Sequence, residues 1–327
     1  MEDWVVNKLS AFIERLLAYD NYLIVGHENP DPDSIGSMLA VYGCLKTFGK
    51  KSWMISADPI PKYDWPNIEM ILPAEEVEFE NAIILDCEPK RTGKLYSFVQ
   101  QAKFTFNIDH HKNNQGECDY NYIDVDQAAT CMIIYDIVNH LGLDMSFEIA
   151  QPLYGGILGD TGGFRHQNTT SSVLLAAADL ITHGARPDKT AREIFYSKPL
   201  EFIKFMGCAL SKLKTSNNNQ LVWLVLSYQD FTENGVNPQQ CDQLIEYARM
   251  VENSEIVILF REILPNTIRI GFRSNNINIH QLAAHFGGGG HLLAAGAQLE
   301  GSLPDVVDLV ITAAAKLLEG ELNGRNY

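Results

Sequence analysis

Four short stretches of this chain carry aspartate or histidine at spacings that suit metal chemistry. They are His27-Glu28-Asn29-Pro30-Asp31-Pro32-Asp33-Ser34, Leu85-Asp86-Cys87-Glu88-Pro89, Asn107-Ile108-Asp109-His110-His111, and the segment Gly155–Phe164 that contains Asp160. Singly, each has a plain structural explanation: an aspartate can cap a turn, and one such as Asp86 commonly ends a strand. Adjacent histidines at a strand end are harder to explain that way, and four such segments together point to a site. Carboxylates crowded into one pocket repel one another and are costly to bury. Divalent cations remove that conflict. Carboxylate plus imidazole, without paired thiolates, suits Mn²⁺ or Mg²⁺ better than structural Zn²⁺. Two such ions roughly 3.5–4 Å apart activate a bridging hydroxide and neutralise a phosphoryl group, so a phosphodiester or monoester is the expected target.

These side chains must be delivered by regular elements, and the sequence predicts them. Tyr22–Val25, Ser52–Ile55, Asn81–Leu85 and Phe104–Ile108 are short apolar runs that read as buried strands. Helices are predicted over Ser34–Phe48, Ala128–Leu141, Phe147–Leu158 and Ser171–His183. Such alternation implies an α/β domain with a mostly parallel sheet and helices on both faces. Sites in such sheets lie at the carboxyl ends of the strands, where each of the four segments is expected to end a strand or start a turn. An amphipathic helix with Trp4, Val5, Leu9, Phe12, Ile13, Leu16 and Leu17 on one side precedes this pattern. A second, smaller α/β unit follows, with strands at Leu221–Leu226, Ile256–Phe260 and Thr267–Phe272 and helices over Pro238–Val251, Ile277–Phe286 and Pro304–Leu318. The expected division is a catalytic domain over 1–190, a helical linker over 191–220 and a substrate domain over 221–327, with a hinge at the polar break Ser216–Gln220 and an active-site cleft between the domains.

Composition bounds the partners. The chain has 327 residues, 46% hydrophobic and 20% charged, and a net charge of −16. That excludes a disordered chain and argues against a long nucleic-acid track, which needs a basic surface. No apolar run is long enough to span a membrane, and no export signal is visible at the N-terminus, so a cytoplasmic protein is expected. Cys44, Cys87, Cys118, Cys131, Cys208 and Cys241 are scattered without a CxxC pair, which favours free thiols that pack as small buried hydrophobes.

The combination HENPDPDS, LDCEP, IDHH and LGDTGGF resembles the four motifs of the DHH phosphoesterase superfamily, and FRSNNINIHQLAAHFGGGGHLLAAG is similar to its associated C-terminal domain. The resemblance spans most of the chain. Size and architecture look like the cytoplasmic branch that acts on short oligoribonucleotides and on 3′-phosphoadenosine-5′-phosphate (pAp). It implies hydrolysis of nanoRNA, of linear dinucleotides such as pApA, or of pAp to mononucleotides. It also implies a pair of Mn²⁺ ions per site (with Mg²⁺ or Co²⁺ as substitutes), a short RNA or small nucleotide as partner, no membrane and a homodimer.

Carried over residue by residue, it implies that His27, Asp31 and Asp86 hold one ion and that Asp33, Asp86, His110 and Asp160 hold the other, with Asp86 shared. His111 would face the phosphate, and Asp109 would orient the adjoining histidines. Pro32 stands where the family commonly has glycine. If that glycine needs a positive φ, this loop must differ. In the second unit, Arg273, Gly288, Gly289, Gly290 and His291 would take the terminal nucleotide. Read without the resemblance, the glycine run is also a flexible turn, and Arg273 also a solvated arginine. Arg91, Arg165 and His166 could reach a substrate or simply close turns.

Three other activities are compatible with parts of this pattern. A pyrophosphatase or exopolyphosphatase shares the first-domain motifs but calls for a basic second lobe. A cyclic-dinucleotide (c-di-AMP) phosphodiesterase is closer. A nucleotide-binding regulator without turnover would be marked by a missing metal ligand, and none of the expected positions is missing.

Overall fold

The computed structural model describes residues 3–74, 77–290 and 292–324, and the chain divides into two compact units, residues 1–197 and 198–327. The first unit runs α1 (Asp3–Ala18), β1 (Tyr22–Val25), α2 (Pro32–Thr47), β2 (Ser52–Ser56), β3 (Ile71–Pro73), β4 (Asn81–Leu85), α3 (Tyr96–Val99), β5 (Phe104–Asp109), β6 (Tyr120–Ile123), α4 (Thr130–His140), α5 (Phe147–Asp160), α6 (Ser171–Thr182) and α7 (Pro187–Ala191). Its six strands form a parallel sheet in the order β3-β2-β1-β4-β5-β6. Successive strand residues point to opposite faces, and both faces are covered. Tyr22, Ile24, Ile83, Leu85, Phe106 and Ile108 join the larger core with α1, α2, α4, α5 and α6. Leu23, Val25, Ala82 and Ile84 join a smaller one with Leu95 and Val99. This two-sided burial explains why the strands read as unbroken apolar runs.

The order of the strands matters for the site. From β1 the chain moves outward to β2 and β3, then returns to lay β4, β5 and β6 on the other side. The adjacent strands β1 and β4 therefore send their following segments in opposite directions, which opens a crevice beyond their carboxyl ends. Helix α5 lies close against α2 and α4 above it. A Cβ on Gly156 would come within 2.3 Å of Cys131 Sγ and 2.8 Å of Asp33 Oδ1, so only glycine fits there. The N-terminal helix buries Leu9, Phe12, Ile13 and Leu16. The side chains of Trp4 and Val5 lie outside the described residues.

The second unit contains α8 (Leu200–Leu210), β7 (Lys214–Ser216), β8 (Leu221–Leu226), α9 (Tyr228–Asn234), α10 (Leu244–Ala248), β9 (Ile256–Leu264), β10 (Thr267–Ser274), α11 (His280–His285), β11 (Gly289–Gly290), β12 (Ala294–Glu300) and α12 (Leu303–Gly324). Its mixed sheet has the order β11-β12-β10-β9-β8-β7. One face packs on α11 and α12, and the other on α8, α9 and α10.

Several expectations need correction here. The polar break at Ser216–Gln220 is the hairpin turn between β7 and β8, with Asn217, Asn218 and Asn219 all at positive φ. Asparagine tolerates that region, so the run makes a tight turn rather than a hinge. The expected linker over 191–220 is divided between the units at Ser197 and Lys198. The helix expected over 238–251 is a 3₁₀ turn, Pro238–Cys241, followed by the short α10. Cys208 is exposed and Cys118 half-buried, while the other four cysteines are buried. Among the described residues, no helix is long and apolar enough to cross a membrane.

Candidate metal centre

The crevice at β1 and β4 collects the acidic and imidazole side chains. His27 follows β1, Asp86 follows β4, and Asp109 ends β5 with His110 and His111 directly after it. Asp31 caps α2, its Oδ1 accepting from the backbone N–H of Asp33 and Ser34. Pro32 occupies the first turn of that helix, where its fixed φ suits the backbone and its missing N–H costs nothing. The exchange of glycine for proline therefore demands no positive φ. Asp160 is the last residue of α5. The fourth segment thus ends a helix, in line with the helix expected over Phe147–Leu158, and not a strand like the other three. It reaches the other three because α5 runs over α2 toward the same edge.

The side chains form overlapping groups. His27 Nε2 lies 3.6 Å from Asp31 Oδ1 and 3.6 Å from Asp86 Oδ2. His110 Nε2 lies 3.2 Å from Asp160 Oδ2, 3.6 Å from Asp86 Oδ1 and 4.0 Å from Asp33 Oδ2. Donor atoms of His27, Asp31 and Asp86, and likewise of Asp33, His110 and Asp160, all come within 4.8 Å of one another. Asp86, Asp33 and His27 are buried. Asp86 also sits in the left-handed region at φ 63°, which few non-glycine residues enter and aspartate enters more readily than most.

Backbone carbonyls set the orientation of two rings. His27 Nδ1 bonds the Glu28 carbonyl at 2.8 Å and His110 Nδ1 the Gln127 carbonyl at 3.2 Å. In each, Nδ1–H donates outward and Nε2 is left facing the carboxylates, the arrangement that metal-binding histidines use. His111 differs: its Nδ1 bonds Asp109 Oδ1 at 2.8 Å, so that nitrogen is committed. A third grouping of His111 with Asp86 and His110 is therefore a poorer set of donors. Asp109 also accepts from the backbone N–H of His110 and His111 and from the Asn114 amide. It thus holds the His111 ring directly but His110 only through its backbone.

Burial pushes the Asp86 carboxyl well above the usual carboxylate range, with the neighbouring Asp33 adding to it. Burial and Asp33 likewise push Asp160 up to about 7. Burial works against charge on the histidines, but the carboxylates win. Asp31 and Asp86 raise His27 to about 10, and Asp160 with Asp33 and Asp86 raises His110 to about 10. Carboxylates this crowded bind protons or cations. The donor set is oxygen and imidazole nitrogen. The nearby Cys131 thiol is turned to Ser37 and to the Asp33 carbonyl. Hard divalent cations fit these groups.

Several contributors have no sequence signature. Asp33 accepts the backbone N–H of Thr130 at 2.7 Å and of Cys131 at 2.9 Å, the Thr130 hydroxyl donates to Asp86, and Gln127 acts through its carbonyl. Only the fold brings them in. Arg165 and His166 close the turn after α5, bonding the Gly162 and Asp160 carbonyls. Arg91 lines a small recess with Cys87, Glu88, Asp109 and His111.

In the second unit, the Arg273 Nε donates to Glu246 and its NH1 to the Phe272 carbonyl, and Arg249 donates to the same Glu246. Gly288 and Gly290 are required by packing, since a Cβ on either would strike the backbone of β12. Gly289 has open space around it. His291 lies outside the described residues.

Comparison with known proteins matches residues 21–157 to the family described as "DHH family, N-terminal domain" and residues 217–320 to the "DHHA1 domain". The chain is 32% identical to the bifunctional oligoribonuclease and PAP phosphatase NrnA of Thermus thermophilus, over 90% of this chain and 89% of that one. It is 28% identical to the protein of the same name from Mycoplasma pneumoniae, over 92% and 94%. An exopolyphosphatase-related protein from Bacteroides fragilis shares the fold, with a TM-score of 0.85 at 22% identity, covering 98% of this chain and 96% of that one.

Proposed function

The chain belongs to the DHH family, and on that premise we propose that it is a metal-dependent phosphoesterase that hydrolyses short oligoribonucleotides, linear dinucleotides such as pApA, or pAp to mononucleotides in the cytoplasm. One observation carries the reading. The Asp/His groups converge at the crevice between β1 and β4, with buried carboxylates that need a counter-charge. The names of the curated relatives support the substrate class.

In this reading His27, Asp31 and Asp86 hold one divalent ion, and Asp33, Asp86, His110 and Asp160 hold a second. Mn²⁺ is the preferred metal, with Mg²⁺ or Co²⁺ able to replace it. Bound there, such ions supply counter-charge to a phosphoryl group and lower the pKa of water. The remaining steps fall to the chain's own residues. Asp109 fixes the His111 ring through Nδ1, which leaves His111 Nε2 to meet a phosphate oxygen or the leaving group. Thr130 and Cys131 hold the Asp33 carboxylate by backbone N–H groups. In the second unit, Arg273 pairs with a substrate phosphate in place of Glu246, and the open Gly289 and its neighbours Gly288, Gly290 and His291 receive the nucleotide.

The test is Mn²⁺-dependent turnover on pAp, pApA, RNA of graded length, cyclic di-AMP and pyrophosphate, with Asp86→Ala as control. Turnover that peaks on pAp or the shortest RNAs and vanishes in the variant is expected. Turnover confined to pyrophosphate, or ligand binding without product, would overturn the reading.

A further inference from the structure

Asp86 has two carboxylate oxygens that face different partners. Oδ2 looks toward His27 and Oδ1 toward His110, each at 3.6 Å. The terminal torsion of aspartate is soft, so something must hold the carboxylate at this rotation. Among the described residues the side chain within ordinary hydrogen-bond distance of it is Thr130, whose hydroxyl donates to Oδ1 at 3.0 Å, closer than either imidazole. Thr130 is fully buried and opens α4. The residue before it, Ala129, supplies no side-chain cap, and the free N–H groups of the first turn are met instead by Asp33, through Thr130 N–H and Cys131 N–H. A helix N-terminus favours negative charge. One turn of α4 thus grips both Asp33 and Asp86, carboxylates that come from α2 and β4.

We propose that Thr130 is a positioning residue for the metal centre, its hydroxyl setting the rotation of Asp86 so that each carboxylate oxygen faces a different group of donors. This rests on the reading of the Asp/His cluster as a metal centre. The backbone N–H of Thr130 serves Asp33 whatever its side chain, so substitutions separate the two tasks. Thr130→Val removes the hydroxyl at nearly constant shape, Thr130→Ser keeps it, and Thr130→Ala removes it without crowding.

The experiment is titration of the metal-stripped full-length protein with Mn²⁺ by calorimetry, alongside thermal melting of each metal-free variant and separate kcat and KM for a short RNA. Losing a partner that orients a metal ligand weakens metal binding by about 10–100-fold. Thr130→Val and Thr130→Ala are expected to bind Mn²⁺ weaker by that factor and to lose kcat more than KM. Thr130→Ser is expected to stay within about threefold of the parent. If Thr130→Val fails to fold, the Ala and Ser variants give the same contrast. A folded variant without the hydroxyl that binds Mn²⁺ as the parent does would overturn the proposal, as would an equal loss in the Ser variant. A parent protein that binds no divalent cation would instead overturn the metal-centre reading itself.

Discussion

If the Asp/His cluster takes two divalent ions as proposed, loading it must expel protons, and their number follows from the titration of its donors. In the metal-free protein His27 and His110 each titrate near 10 because carboxylates surround their Nε2 atoms. At pH 8 both rings are almost wholly protonated, and each must give up that proton before Nε2 can serve as a ligand. Asp160, at about 7, is mostly ionised by then and adds only a small fraction. Asp86, the shared ligand, is also held well above the usual carboxylate range, so filling both positions at pH 8 is expected to release at least about two protons. Each proton contributes about 1.4 kcal/mol per pH unit, so the two imidazole protons alone make the overall affinity for the pair of ions rise about a hundredfold per unit between pH 7.5 and 9. Calorimetric Mn²⁺ titration in buffers of different ionisation enthalpy counts the protons directly. Release of less than about half a proton at pH 8 would mean that the rings are neutral before the metal arrives, and would refute the reasoning. The same shifts fix how the metal-free fold responds to pH. The histidines stabilise it fully below their unfolded value of 6.5, and that contribution is lost as pH rises through about 10. Ionising Asp160 costs stability from its unfolded value of 3.8 upward, and the cost is complete above about 7. Both trends make the metal-free protein melt lower at pH 9 than at pH 6, and Mn²⁺ is expected to narrow that gap.

Gly156→Ala offers the helix about 1 kcal/mol of propensity, but its Cβ would press on Cys131 Sγ and Asp33 Oδ1. Overpacking of about 1–3 kcal/mol is expected to win, so the variant should melt lower and bind Mn²⁺ more weakly; an unchanged melt would sink this. Asp109→Asn cannot accept from His111 Nδ1, the two backbone N–H groups and Asn114 as the carboxylate does. It is expected to lose about 10–100-fold in kcat while Mn²⁺ affinity falls less, since the His110 ring is held from Gln127; equal losses in both would contradict that division.

The first three motifs were legible because each follows a buried apolar strand of a parallel sheet, and that architecture fixes where strand ends go. Asp160 was legible as a residue but not in its setting, since nothing local says that α5 runs back over α2 to the same edge. Thr130, Cys131 and Gln127 were invisible for a different reason: two act through main-chain groups, which every residue possesses, and Thr130 acts on an aspartate 44 residues away. Among the strands, Ala294–Glu300 has no clear sequence signal because alanine and glycine are poor strand formers, yet it pairs with β10 from Thr267 to Arg273. The asparagine run 217–219 shows only its polarity in the sequence, whereas its backbone conformation is what the hairpin uses.

The strands that lead to His27 and Asp86, β1 and β4, are the middle pair of their sheet, each hydrogen-bonded on both sides, while β3 and β6 form its edges. Edges open at a fraction of the free energy of global unfolding, and central strands open last. In amide hydrogen exchange the backbone beneath the Asp/His cluster is therefore expected to be among the slowest in the unit. Heating that frays the rim leaves the donor groups in register, so thermal inactivation follows the loss of the whole first unit and not its earliest local openings.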